Sequence, residues 1–209
     1  MLKKIQTKTG RFITVFETAV TKEMKASSLD FAKAIILSDN QYLRLNPIEG
    51  NIDLQKKVQI QRTYTGKLGE LVFSAFLTER GIKHSTDGMF DIYQGQTNVD
   101  EFDFKTPHNK TIDVKTGFRK IHTRLLINIE QFTNIPKDYY VGVKLNANDV
   151  DSSHKLVDLD SITSATIFGY AECTYLKQHV RPTNFGEGPA YAVPYEKLLN
   201  IERILSLFS

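Results

Sequence analysis

Apolar positions recur at helical spacing most clearly between residues 65 and 80. At 100° per residue, Leu68, Leu71, Val72, Phe73, Ala75, Phe76 and Leu77 cover most of the circumference. Lys67, Glu70, Ser74 and Thr78 are left as a narrow polar stripe. A helix this apolar is largely buried, so its stripe faces something particular or a thin strip of water. Gly81 marks its end. Upstream, residues 11–16 read as a strand, and residues 29–37 as a helix with Ser28 as its cap. Asn46-Pro47 and Glu49-Gly50-Asn51 make a turn-rich break. Downstream, residues 89–93, 102–104 and 111–116 read as strands. The last two flank the turn Pro107-His108-Asn109-Lys110 and form a hairpin. Leu125, Leu126, Ile129 and Phe132 predict a helix over 123–134. Residues 139–145 and 165–171 predict two more strands, and residues 191–194 lead into a terminal helix through Leu198, Leu199, Ile201 and Leu205.

From residue 65 the order is helix, three strands, helix, strand, strand, helix. That order predicts an α/β protein with a mixed central sheet flanked by helices. Residues 1–50 read as an N-terminal extension, with DNA binding or dimerisation as its candidate roles, and residues 51–209 as the main domain. A length of 209 residues suits one domain with such an extension and is enough to bury a core. Twelve Gly, six Pro and one Cys exclude collagen-like, disordered and disulfide-framework classes. Cys173 alone forms neither an internal disulfide nor a cysteine zinc site, so any metal falls to carboxylates or the five His. No run nears the roughly 18 apolar residues of a membrane span, and no apolar leader segment follows Met1. The expectation is a soluble cytoplasmic protein without a membrane partner.

The net charge of +3 says little, but its distribution is uneven. Lys56, Lys57, Arg62 and Lys67 fall in an acid-free stretch over 54–67. Lys105, Lys110, Lys115, Arg119, Lys120 and Arg124 stand against Asp113 alone over 105–124, whereas residues 149–160 hold four Asp and one Lys. Such asymmetry suits one face built for an anion.

The hairpin gives that face its chemistry. Strand alternation sends Phe102, Phe104, Ile112 and Val114 to the core and puts Asp103, Asp113 and Lys115 on the opposite face. A turn centred on His108 sets Asp103 opposite Asp113. Carboxylates opposed across a ladder cost about 0.2–1 kcal/mol, and a divalent cation between them removes the cost. Hard oxygen donors with room for water suit Mg²⁺, with Mn²⁺ as substitute. Lys115 adds a cation that can orient a water or touch a phosphate oxygen. Glu70, on the polar stripe of the buried helix, is a further carboxylate able to reach the same metal. These are the parts of metal-assisted phosphodiester hydrolysis.

Lys67-Leu68-Gly69-Glu70-Leu71-Val72-Phe73, Phe102-Asp103-Phe104 and Ile112-Asp113-Val114-Lys115-Thr116 resemble the PD-(D/E)xK, or restriction-endonuclease-like, nuclease superfamily. The resemblance covers residues 65–171 and implies an αβββαβ core. It further implies that Asp103 and Asp113 are metal ligands, Lys115 the catalytic lysine, Glu70 the first-helix acid, and the Val114 carbonyl an added ligand. Glu101 stands where the family favours Pro or an apolar residue, so Asp100, Glu101 and Asp91 are rivals for the role of Asp103. Arg119, Lys120 and Arg124 follow the catalytic strand as candidate phosphate contacts, with Phe118 and His122 as candidate stacking groups. The expected function is a Mg²⁺-dependent DNA endonuclease of restriction or related prokaryotic or phage type, with a homodimer as the form that cuts both strands. The rivals are a non-catalytic nucleic-acid-binding module on the same fold, and an interaction subunit or small-molecule enzyme.

Overall fold

The structure, a computed structural model, describes residues 1–7, 9–37, 52–92, 102–147, 156–184 and 188–209. It is mixed α/β. Six strands form one sheet in the order β1-β2-β7-β6-β4-β3: β1 (Leu2–Gln6), β2 (Phe12–Ala19), β3 (Phe104–Lys105), β4 (Thr111–Gly117), β6 (Tyr139–Asn146) and β7 (Ser164–Glu172). The β4–β6 pair is parallel and the other pairs are antiparallel. A smaller sheet, β5-β9-β8, is made by β5 (Arg124–Asn128), β8 (Thr183–Asn184) and β9 (Pro189–Pro194).

The two faces of the large sheet bury different clusters. On one, α2 (Ile52–Glu79) packs across β2, β4, β6 and β7, with α1 (Lys22–Leu37) beside it. Phe16, Leu68, Val72, Phe73, Phe76, Phe104, Ile112, Val114, Val141 and Val143 form this core. On the other face, Tyr140 and Ala171 of the large sheet meet Leu125, Ile127 and Val193 of the small one, with Phe132 of α3 (Ile129–Asn134) and Leu176 of α4 (Cys173–His179). A bulge in β7 opposite Gly142 and Val143 lets that strand serve both clusters. Gly169 sits there at φ 145°, and a Cβ on it would overlap the carbonyl of Leu199.

The first 37 residues, read above as part of an extension, supply β1, β2 and α1, and Phe16, Val20 and Ala32 join the larger core. The break over 46–51 lies outside the described residues. The long helix starts at Ile52 rather than 65, so Lys56, Lys57 and Arg62 ride on it. It ends as expected at Gly81. With φ 70°, Gly81 donates to Thr78 O and lets Ile82 N reach Leu77 O, both at 2.9 Å.

Four local readings are corrected. Ser28 is not a cap but a buried residue inside α1; Thr21 Oγ1 accepts from Met24 N at 3.2 Å and takes that role. Residues 87–90 form turns and 91–92 belong to no strand, so no strand forms over 89–92, and Tyr93 lies outside the described residues. The helix placed over 123–134 is β5 followed by a six-residue α3. Buried Leu125 and Ile127 alternate with exposed neighbours, which fits a strand as well as a helix in so short a window. Asn128 Oδ1 then accepts from Gln131 N at 3.2 Å and starts the helix late. The terminal helix is instead two 3-10 turns, Tyr195–Lys197 and Ile201–Leu207. Between them Leu199 exchanges both backbone hydrogen bonds with Tyr170 of β7, so its backbone groups are not free to continue a helix. Among the described residues no helix is long and apolar enough to cross a membrane.

Candidate active site

The β3–β4 hairpin forms in the expected register, with Phe104 opposite Ile112 and Lys105 opposite Thr111. Asn109, at φ 60°, supplies the left-handed residue its turn needs. Asp103 lies one residue beyond β3, where continuation of the register faces Asp113. Its N–H donates to Ile112 O at 3.1 Å, and its carboxylate accepts from Val114 N at 2.6 Å. That bond pins the side chain of Asp103 to the strand that carries Asp113.

Asp113 is buried although Ile112 and Val114 face the core of α2, because the second face of β4 is covered too. Its Oδ2 lies 2.7 Å from Lys115 Nζ. That oxygen accepts no aligned hydrogen bond among the described residues, so the contact is an ion pair by distance alone. Lys115 Nζ also donates to Gln131 Oε1 of α3 at 2.9 Å. Gln131 was not singled out from the sequence; it sits two residues into a helix whose start the sequence misplaced.

Glu70 arrives from the other side of β4. α2 crosses that strand at Gly69, where a Cβ would overlap the hydroxyl of Thr116. Gly69 thus allows the close approach that sets the next residue, Glu70, near the hairpin. Glu70 pairs with Lys67 at 2.6 Å, both side chains being largely buried, and Lys67 Nζ lies 4.7 Å from the Phe31 ring centroid. Ser74, further along the stripe, meets His84 Nε2 at 2.7 Å. Three residues of the polar stripe, Lys67, Glu70 and Ser74, therefore have side-chain partners, whereas Thr78 is exposed and donates back to Ser74 O at 3.0 Å.

Three carboxylates act on one another here. Burial, then the charges of Glu70 and Asp113, push the Asp103 carboxyl well above its ordinary value; the Val114 hydrogen bond and Lys115 pull the other way and lose. Among the described residues no three His, Cys, Asp or Glu side chains are grouped closely enough to hold a metal ion. The chemistry of the set nonetheless suits a hard divalent cation. All its donors are carboxylate oxygens, one of them buried without a hydrogen bond, and the Asp103 carboxyl is raised by burial and by the other two acids.

The basic loop over 118–124 follows β4, with Arg119 half-buried and Lys120 and Arg124 exposed. Phe118 is not a stacking platform; it is buried in the larger core. His122 lies edge-on to Phe118, and its Nδ1 accepts from the backbone N–H groups of Phe118 and Arg119 at 3.0 and 3.2 Å, so it shapes the loop. Of the rivals to Asp103, Asp91 is exposed in the turn region, and Asp100 and Glu101 lie outside the described residues. Compared with protein-family models, with curated proteins and with solved structures, the chain matches none.

Proposed function

We propose that the chain is a Mg²⁺-dependent DNA endonuclease of the PD-(D/E)xK type, hydrolysing phosphodiester bonds by in-line attack of water. One observation carries the reading: Asp103 is hydrogen-bonded to the strand bearing Asp113 and Lys115, while Glu70 is near enough to raise its carboxyl. Crowded carboxylates that shift one another's titration are a mark of candidate functional sites.

Asp103, Asp113 and Glu70 would hold the metal, and Mn²⁺ would serve in its place. When bound, the ion supplies positive charge at the phosphoryl oxygen and acidifies a water. Lys115, held between Asp113 and Gln131, orients the attacking water through its ammonium donors and offsets charge developing on the phosphate. Gln131 restricts where that ammonium can point. Arg119, Lys120 and Arg124 neutralise backbone phosphates along the loop. A homodimer, with one site per strand, fits the same reading.

A second reading, a non-catalytic nucleic-acid-binding module, has its own support: Lys67 and Lys115 already pair with Glu70 and Asp113. Incubation with supercoiled plasmid and Mg²⁺ or Mn²⁺ separates the two. Nicked and linear products, absent when EDTA is added, are expected. DNA binding without cleavage under either metal would overturn the nuclease and leave the module.

A further inference from the structure

An open groove of about 610 Å³ runs between residues 83–87 and residues 105–107. It borders β3, the edge strand of the large sheet. Lys83 and Lys105 line it, both exposed, and neither makes an ion pair among the described residues. Lys105 Nζ stands 5.7 Å from the Phe102 ring centroid. Ser85 and Thr86 also line it, and Ser85 Oγ accepts from Asp87 N at 3.0 Å. The His84 ring is held between Ser74 Oγ, 2.7 Å from Nε2, and Ile82 O, 3.1 Å from Nδ1. Asp87 is the single carboxylate of the lining, so two ammonium groups stand against one anion. Lys110, at the tip of the same hairpin, is different: Asp138 pairs with it at 3.1 Å.

The hairpin sets this groove in line with the candidate active site. Lys105 lies two residues along β3 from Asp103, about 6.6 Å of strand, or roughly two nucleotides of axial rise. Because β4 runs antiparallel to β3, its far end delivers Arg119 and Lys120 in the opposite direction. The carboxylates thus lie between two basic ends of one hairpin.

We infer that the groove beside Lys83 and Lys105 is a second phosphate site, holding the DNA backbone on the side of the carboxylates away from the 118–124 loop. This rests on the nuclease reading for the choice of DNA. Lys83 and Lys105 grip phosphates about two nucleotides from the scissile one, and the duplex runs along the hairpin rather than across it. Both lysines are exposed, so their removal leaves no cavity.

The test is fluorescence anisotropy of a short labelled duplex in EDTA across a salt series. It compares the intact protein with Lys83→Ala/Lys105→Ala and with Lys110→Ala. The double variant should lower the slope of log affinity against log salt by about 1.8, at roughly 0.9 per neutralised phosphate. Lys110→Ala should leave the slope unchanged. An unchanged slope in the double variant, or an equal drop in Lys110→Ala, overturns the site. The binding assay needs no cleavage, so the two proposals fail separately. An intact protein that binds but never cuts plasmid, with the slope falling in the double variant, supports the groove and overturns the nuclease. An intact protein that cuts plasmid, with the slope unchanged in the double variant, overturns the groove alone.

Discussion

Two carboxylates sit along β4 in opposite circumstances. At its start, Asp138 accepts from Thr111 N at 2.9 Å, Thr111 Oγ1 at 3.0 Å and Lys110 Nζ at 3.1 Å. Partial burial pushes its carboxyl up, but the Thr111 and Lys110 hydrogen bonds and the Lys110 charge outweigh burial and hold it below the ordinary value. In the middle of the strand, Asp103 has one backbone donor against two neighbouring carboxylates, and its carboxyl is held far above the ordinary value. The first arrangement ties the hairpin turn to β6 and stabilises the fold. The second works against the fold, which makes the cluster a candidate for binding a ligand or taking part in a reaction. The difference is the physical ground for proposing Asp103, and not Asp138, as an acid of the site.

The largest effect that tests this contrast is on chemistry. Asp113→Ala and Lys115→Ala should each lower plasmid cleavage by about 10²–10⁴-fold. Asp138→Ala should do the reverse, keeping cleavage at saturating Mg²⁺ and losing about 1 kcal/mol of stability, a value discounted for its exposure. Full turnover in the first pair, or a folded but inactive Asp138→Ala, would break the contrast.

Linkage gives the two acids opposite pH signatures. A lowered carboxyl stabilises above its ordinary value near 3.8 and loses that stability as pH falls through its folded value. A raised carboxyl does the opposite: the folded state holds its proton more tightly, so stability falls as pH rises above about 3.8. Asp103→Asn should therefore raise the melting temperature at neutral pH, with a gain that shrinks towards pH 4, while abolishing cleavage. A variant less stable than the intact protein at pH 7 would sink this account of Asp103.

The smallest effect concerns the loop beyond β4. Replacing Arg119, Lys120 and Arg124 together with alanine should lower the salt slope by about 0.9 for each phosphate that the loop neutralises, with little change in sequence preference. An unchanged affinity at low and moderate salt would mean that the loop is only solvated.

Some of this was readable in the chain alone. The hairpin register follows from alternation and turn composition: Phe104, Ile112 and Val114 had to face the core, and the turn over 107–110 then left Asp103 opposite Asp113. The long helix was legible because its apolar residues persist for several turns, and Gly81 ended it for a reason of backbone geometry. What local pattern left undecided was settled by distant partners. Residues 124–128 became a strand because β9, more than sixty residues later, pairs with them. Leu199 left the helical path because Tyr170 takes its backbone hydrogen bonds. Glu70 comes near enough to raise the Asp103 carboxyl because Gly69 lets α2 press on Thr116, and Lys115 is oriented by Gln131 from a helix on the opposite face. Periodicity states which side of an element is apolar; which element covers that side, and which charges it brings, depends on contacts between residues far apart in the chain.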